Sequence, residues 1–391
     1  MQKHLLLFVL AIALSALTGL HAQNSCLPDG ITFTSQAQID SFPMNYPGCT
    51  VIGGDVVVQE KVAGDLIHLD SLYPITSIEG SLEIGVDQIY PFPDGNSSLN
   101  DLGGLQHVTS IGGYLSVWGN QALTDLHGLE SLTSVGGYLS VWENITLGSL
   151  GGLENLTSVE GYLSIYDNDA LNSLTGLQGL TTIGGNFVVR GNDALTNLSG
   201  LDQVSSIGGG FFVSINALLV SLDGLEGLTA IGGELRVDEN SSLSNLEGLR
   251  NLASATIANL RITDNPHLSI CHIQPICDYL SNGGPATIDN NAPGCNTPQE
   301  VEDACQPVSV DDLLFEDAIQ LFPNPSSGLV QIEAPSDSEW KVSVRDAMGR
   351  MVVQPHELVD GEVDLSGLPA GLYFVEFNDG RQMIGRRIVK Q

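Results

Sequence analysis

Two sets of residues recur along this chain at a spacing that can build a surface. Tyr114, Tyr138 and Tyr162 follow one another every 24 residues, and Trp118, Trp142 and Tyr166 keep the same interval beside them. Ser116, Ser140 and Ser164 lie between the two sets. If each interval is one turn of a coil, six exposed aromatic side chains stand in two columns on one face. Such an array can receive sugar rings or a protein partner. It can also stack on itself and stiffen a sheet. The columns end abruptly: later blocks carry Asn186, Val188 and Arg190, then Phe212 and Ser214, then Glu234, Arg236 and Asp238. A purely structural ladder has less reason to stop after three blocks, which favours a local site for an extracellular protein or glycan.

Other chemistry is thinner. Glu143 and Asp167 occupy equivalent places in adjacent blocks, where stacking sets carboxylates roughly 5 Å apart, the gap of a retaining glycosidase. The same place elsewhere holds Gly119, Gly191, Ile215 and Glu239, so two solvated acids explain the pair better. A flat sheet also lacks the cleft an enzyme needs. Asp167, Asp169 and Asp193 are dense in oxygen, yet no EF-hand or nonapeptide calcium pattern accompanies them. His272 has no partner at metal spacing. No GxSxG, HExxH, P-loop or dinucleotide fingerprint stands in its required context. Asn144-Ile145-Thr146 and Asn155-Leu156-Thr157 match the glycosylation acceptor by chance. We expect no enzyme, metal or cofactor.

The elements that must position the columns follow from the period. Blocks open at Ile111, Val135, Val159, Ile183, Ile207 and Ile231, with looser copies from Ile52 and Ile78 and a last one over 255–265. A fixed period of this size over about nine blocks means a solenoid. Leu115 and Val117 alternate with Tyr114, Ser116 and Trp118, as in a strand with one buried face. Asn120 recurs as Asn144, Asn168, Asn192, Asn216, Asn240 and Asn265, so an inner corner is filled by a side chain that can bond neighbouring backbones. Leu123, Leu126, Leu129 and Leu132 are spaced by three, which fits short extended or 3₁₀ pieces rather than an α-helix. Gly128 and the pair Gly112-Gly113 recur where a side chain would not fit. An insertion, 90–98, interrupts the second copy.

The address is legible too. The chain has 391 residues with 13 Lys+Arg against 46 Asp+Glu, a net charge of -33. That excludes a phosphate-binding surface for nucleic acid and docking on anionic lipid. Lys3 and His4 precede an apolar run from Leu5 to Leu20 and small residues to Ala22, which reads as a signal peptide over 1–22. The run is about 16 residues, short of the roughly 20 that a membrane span needs. An oxidising destination implies paired cysteines. Cys26 and Cys49 precede the repeats and are expected to pair. Cys271, Cys277, Cys295 and Cys305 follow them and can pair among themselves in three ways.

The run Leu-x-Val-x-x-Asn-x-x-Leu over 115–123, the leucine triplets and the closing Ile/Val-Gly-Gly resemble a leucine-rich repeat, most closely the receptor L-domain variant. The resemblance covers about residues 50 to 270 and implies a right-handed β-solenoid with many possible ligands. The flanking cysteine segments look like its disulfide-stapled caps, 23–51 and 270–305, around a solenoid at 52–269. Ile270 to Leu280 and Pro298 to Cys305 read as capping helices.

The tail changes character after an acidic linker at 306–316. Seven of the 13 basic residues fall from Lys341 onward, and period-two strands appear at 329–333, 341–346, 351–354, 371–377 and 382–389, a small Ig-like β-sandwich. Pro323-Asn324-Pro325 with Gly328, then Asp346 with Gly349-Arg350, then Gly371-Leu372-Tyr373, and a closing basic Arg386-Arg387-Ile388-Val389-Lys390 resemble the C-terminal sorting domain of the type IX (Por) secretion system, over about 315–391. That resemblance implies a bacterial protein, contact with the type IX machinery, and secretion or attachment to the outer-membrane surface. Mainly β, secreted, and built to bind is the expectation; a structural surface protein is the alternative.

Overall fold

The computed structural model describes residues 25–85, 95–306, 319–334, 340–347, 349–358, 361–378 and 383–391. The expected leader, most of the insertion and nearly all of the linker lie outside them. The chain divides into two compact units, Met1–Cys305 and Gln306–Gln391.

The first unit is a solenoid with two parallel sheets. One sheet has eleven strands and the other eight. Each full repeat contributes one strand to each. Leu139–Trp142 lies between Leu115–Trp118 and Leu163–Tyr166, with Ser140 facing Ser116 and Ser164 at zero offset. A 24-residue period therefore puts identical side chains in columns. Leu139 and Val141 turn inward and are fully buried, as are Leu147, Leu150, Leu153 and Leu156 from the same coil. One coil leaves these side chains in water; stacking removes them, each worth about 1.5–3 kcal/mol.

The second sheet is made of two-residue strands such as Ser134–Val135 and Ser158–Val159. Beside it runs a rail of hydroxyls. Thr133 Oγ1 donates to the Thr109 carbonyl, Thr157 to Thr133 and Thr181 to Thr157, each at 3.0 Å. The leucine triplets form turns, tightened into 3₁₀ helices at Asp70–Leu72, Gly103–Leu105 and Glu247–Leu249.

Both ends of the core are covered. Strand Ile31–Phe33 and the short helices Gln36–Asp40 and Phe42–Asn45 close one end, with Cys26 bonded to Cys49. Strand Ala286–Asp289 and helices Gln274–Ser281 and Pro298–Cys305 close the other. Of the three open pairings, the structure holds Cys271–Cys295 and Cys277–Cys305. The first of these helices starts four residues later than its apolar run, because Pro275 sits in its first turn and lacks a donor to give an earlier one.

The second unit is antiparallel. Gln320–Phe322, Leu329–Glu333 and Glu362–Asp364 form a three-stranded sheet. Met351–Glu357, Lys341–Asp346, Gly371–Asn378 and Met383–Lys390 form a four-stranded one in that order. Val330, Ile332, Val342, Val344, Val375, Phe377 and Ile388 fill the core. The strands at 320–322 and 362–364 escape a period-two reading because three residues carry less than two full alternations.

Candidate functional site

The two aromatic columns stand on the outer face of the eleven-stranded sheet, but most of their surface is covered. Trp118 is only 5% exposed, and of the six rings only Tyr162, at 40%, is well exposed. This corrects the expectation of six exposed aromatics. The cause is the stacking itself. Tyr114, Tyr138 and Tyr162 lie face to face, with centroids 4.4 Å apart and planes within 6°. Trp118, Trp142 and Tyr166 meet edge to face, at 6.1 and 5.4 Å. Arg190 ends the second column by setting its guanidinium 5.7 Å from the Tyr166 centroid, a cation–π contact.

Between the columns runs a groove of about 260 Å³ lined by Glu83, Tyr114, Ser116, Trp118, Tyr138, Ser140, Trp142 and Tyr162. Its walls are mostly ring edges, since the tyrosine faces cover one another. Its floor carries the serine hydroxyls. The indole Nε1 atoms of Trp118 and Trp142 are buried and have no hydrogen-bond partner. Buried donors without partners cost about 1–3 kcal/mol each. Glu83 closes one end and accepts a hydrogen bond from the Tyr114 hydroxyl. Sequence reading passed over it, although Glu83 stands five residues into the copy that opens at Ile78, as Ser116 does in the next, and the sheet pairs the two directly. The insertion leaves and returns beside this end: a side chain on Gly85 would meet Gly95, and one on Gly95 would meet Gly119.

The phenols are shifted. The hydrogen bond to Glu83, then burial, hold Tyr114 well above the usual tyrosine range. Burial, then neighbouring Tyr138, push Tyr162 up from 10.0 to about 12. A folded-state value above the unfolded one means a contribution present below about pH 10 and lost as pH rises towards about 12. Alkaline titration by tyrosinate absorbance is expected to show the late step, and Tyr162→Phe to remove part of it. A single step near the ordinary value would contradict the stacked column.

Glu143 and Asp167 stand at equivalent corners of adjacent coils. Both sit at left-handed turn positions, φ 54° and 51°, as do Ile215 and Glu239 at 56° and 58°. The corner dictates this conformation whatever the side chain. Asp167 Oδ1 lies 1.9 Å from where a Cβ on Gly191 would be, so its carboxylate leans on the following coil while Glu143 belongs to the preceding one. Burial and the carboxylates of Asp169 and Asp193 raise the Asp167 carboxyl, against the opposing effect of Arg190. Asn144 is fully buried, so its acceptor sequence is inaccessible.

In the second unit the motif residues tie the last strand in place. Asn324 donates from Nδ2 to the Arg387 carbonyl at 2.9 Å and accepts from the Val389 N–H at 3.0 Å. It does for this strand what the flanking Pro323 and Pro325, lacking N–H groups, cannot. The Gly328 N–H donates to Ser326 Oγ, and any Cβ on Gly328 would lie 2.5 Å from Ser366 Oγ. Gly349 takes φ +78° in the turn where Arg350 pairs with Asp346. The Tyr373 hydroxyl donates to the Pro369 carbonyl, and Gly371 opens its strand.

Residues 320–391 match the family model described as secretion system C-terminal sorting domain. The tail is therefore a type IX sorting domain, which implies interaction with that machinery and secretion or attachment at the outer-membrane surface. Among the described residues no helix is long and apolar enough to cross a membrane. No curated protein matches the chain.

Proposed function

We propose that this protein is a surface-displayed binding module of the leucine-rich repeat, receptor L-domain type, exported through its sorting domain, with no catalytic role. The groove between the aromatic columns is the binding site, and its ligand is an extracellular protein or glycan. One observation carries the reading: a groove of about 260 Å³ runs between the two aromatic columns, lined by ring edges and outward serine hydroxyls. Rings and hydroxyls together suit a sugar or a polar stretch of protein.

The test is a glycan and extracellular-protein array probed with the full chain and with a Ser116→Lys/Ser140→Lys variant. These side chains are half-buried and face outward, so the substitution blocks the groove and leaves the core alone. We expect binding to be lost while the thermal midpoint stays within a few degrees. Binding unchanged in the variant would sink the groove as the site. The second reading, a structural surface protein without a ligand, is favoured by the tyrosine faces being spent on one another. It predicts silence on every array, together with marked destabilisation when Tyr138 becomes alanine.

A further inference from the structure

The groove between the aromatic columns holds one charged side chain. Its lining is tyrosine, tryptophan, serine and glycine except for Glu83, which stands half-buried at one end. No cation of the chain neutralises that carboxylate. None of the ion pairs among the described residues includes Glu83. Between Cys26 and Val189 the sequence has a single Lys or Arg, Lys61, which is exposed on another loop and gives its backbone N–H to Thr34. Arg190 is taken up by the Tyr166 ring. Residues 86–94 contain Asp87 and Asp94 and no Lys or Arg. In a chain of net charge -33, the Glu83 end of the groove attracts a cation and repels an anion.

Three acceptors meet at that end. Tyr114 donates its hydroxyl to Glu83 Oε1, and its phenol oxygen keeps lone pairs with which to accept. Ser116 pairs with Glu83 across the sheet at zero offset, and its hydroxyl lies on the groove floor. We propose that the groove takes a lysine side chain of an extracellular protein, with the ammonium on Glu83, Tyr114 and Ser116 and the methylene stem along the ring edges of Trp118, Tyr138 and Trp142. This rests on the groove being the binding site. An ammonium is a compact charge with three N–H donors, one for each of the three groups. A guanidinium fork is best met by both oxygens of a carboxylate, and Oε1 already serves Tyr114. An amino sugar carries hydroxyls beside its amine, which ring edges would leave without partners. Lysine is apolar up to its head, as the groove is up to Glu83.

Tryptophan fluorescence reads this groove, because two of the three tryptophans, Trp118 and Trp142, line it. The full chain is titrated with capped glycine peptides carrying one central lysine, arginine, norleucine or glutamate, and with glucosamine. Saturable binding of the lysine peptide is expected, with arginine weaker by roughly tenfold or more and no binding of norleucine or glutamate. Glu83→Gln, whose amide oxygen still accepts from Tyr114, is expected to weaken the lysine peptide by roughly tenfold or more, the scale of one charge-assisted hydrogen bond, at an unchanged unfolding midpoint. Ser116→Lys seats an ammonium of the chain's own beside Glu83. It is expected to abolish binding while the midpoint holds or rises. No saturable binding of the lysine peptide, or wild-type affinity in either variant, overturns the lysine assignment. So does arginine, norleucine or glucosamine binding as tightly as lysine. An array ligand lost in Ser116→Lys/Ser140→Lys while the lysine peptide stays silent removes lysine alone; one that survives in that variant removes the groove as well.

Discussion

Replacing Asn144 with alanine is expected to destabilise the solenoid by about 3–5 kcal/mol, the range for breaking a buried hydrogen-bond network. The side chain is fully buried. Its Nδ2 donates to the carbonyls of Val117 and Trp142 at 3.0 Å and to Asn168 Oδ1 at 3.2 Å. Its Oδ1 accepts from the Asn120 N–H and from Asn120 Nδ2. Alanine takes one partner each from the Asn120 N–H and side-chain amide, the Val117 and Trp142 carbonyls and the Asn168 amide oxygen, across three successive coils, with no room for water to replace it. In a solenoid each coil is stabilised mainly by its neighbours, so the damage is expected to spread along the stack. Chemical denaturation followed by far-ultraviolet circular dichroism measures it. Asn155→Ala is the control: that amide reaches only the Glu130 carbonyl, on the surface, and should cost under about 1 kcal/mol. Equal losses in the two variants would refute the ladder as the main polar support of the core.

Gly152→Ala is expected to be comparably severe, costing about 3 kcal/mol or more, through backbone rather than hydrogen bonding. Gly152 has φ +111°, and a Cβ there would lie 2.0 Å from the Leu126 carbonyl oxygen and 2.4 Å from its carbon. An alanine must distort both its own conformation and the preceding coil, and strain and overpacking each cost about 1–3 kcal/mol. No side chain can swing aside, because the obstacle is main chain. Gly148→Ala is the matched comparison: the only atom a Cβ would approach is the Thr124 carbonyl oxygen at 3.9 Å. It should stay within about 0.5 kcal/mol of wild type. Should Gly152→Ala unfold at the same denaturant concentration as Gly148→Ala, coil spacing would not depend on the glycine.

The tight packing that these glycines allow explains why so much was readable in one dimension. Every coil repeats the same local problem, so a leucine spacing of three, an inner asparagine and a glycine pair give strand, corner and turn without any long-range information. Helix Pro298–Cys305 falls where its pattern places it, and the tail strands Leu329–Glu333 and Lys341–Asp346 match their alternation. The ladder extends further than the repeats: Asn96 donates to Asn120 Oδ1, and Asn291 accepts from Asn265. Asn96 keeps the 24-residue interval but lies inside the segment read as an insertion, and Asn291 is two residues out of phase.

Columns of chemistry types were thus present in the residue order: aromatic beside aromatic, serine beside serine, arginine beside arginine, because a fixed period with zero register offset maps sequence interval directly onto spatial neighbour. What a side chain's neighbours do to it was not. Whether Tyr138 offers a face or only an edge, that Trp118 is covered, and that Asp167 leans on the following coil all depend on rotamers and burial. These arise from packing across coils, where each side chain's exposure is set by residues 24 or more positions away rather than by its own place in the repeat.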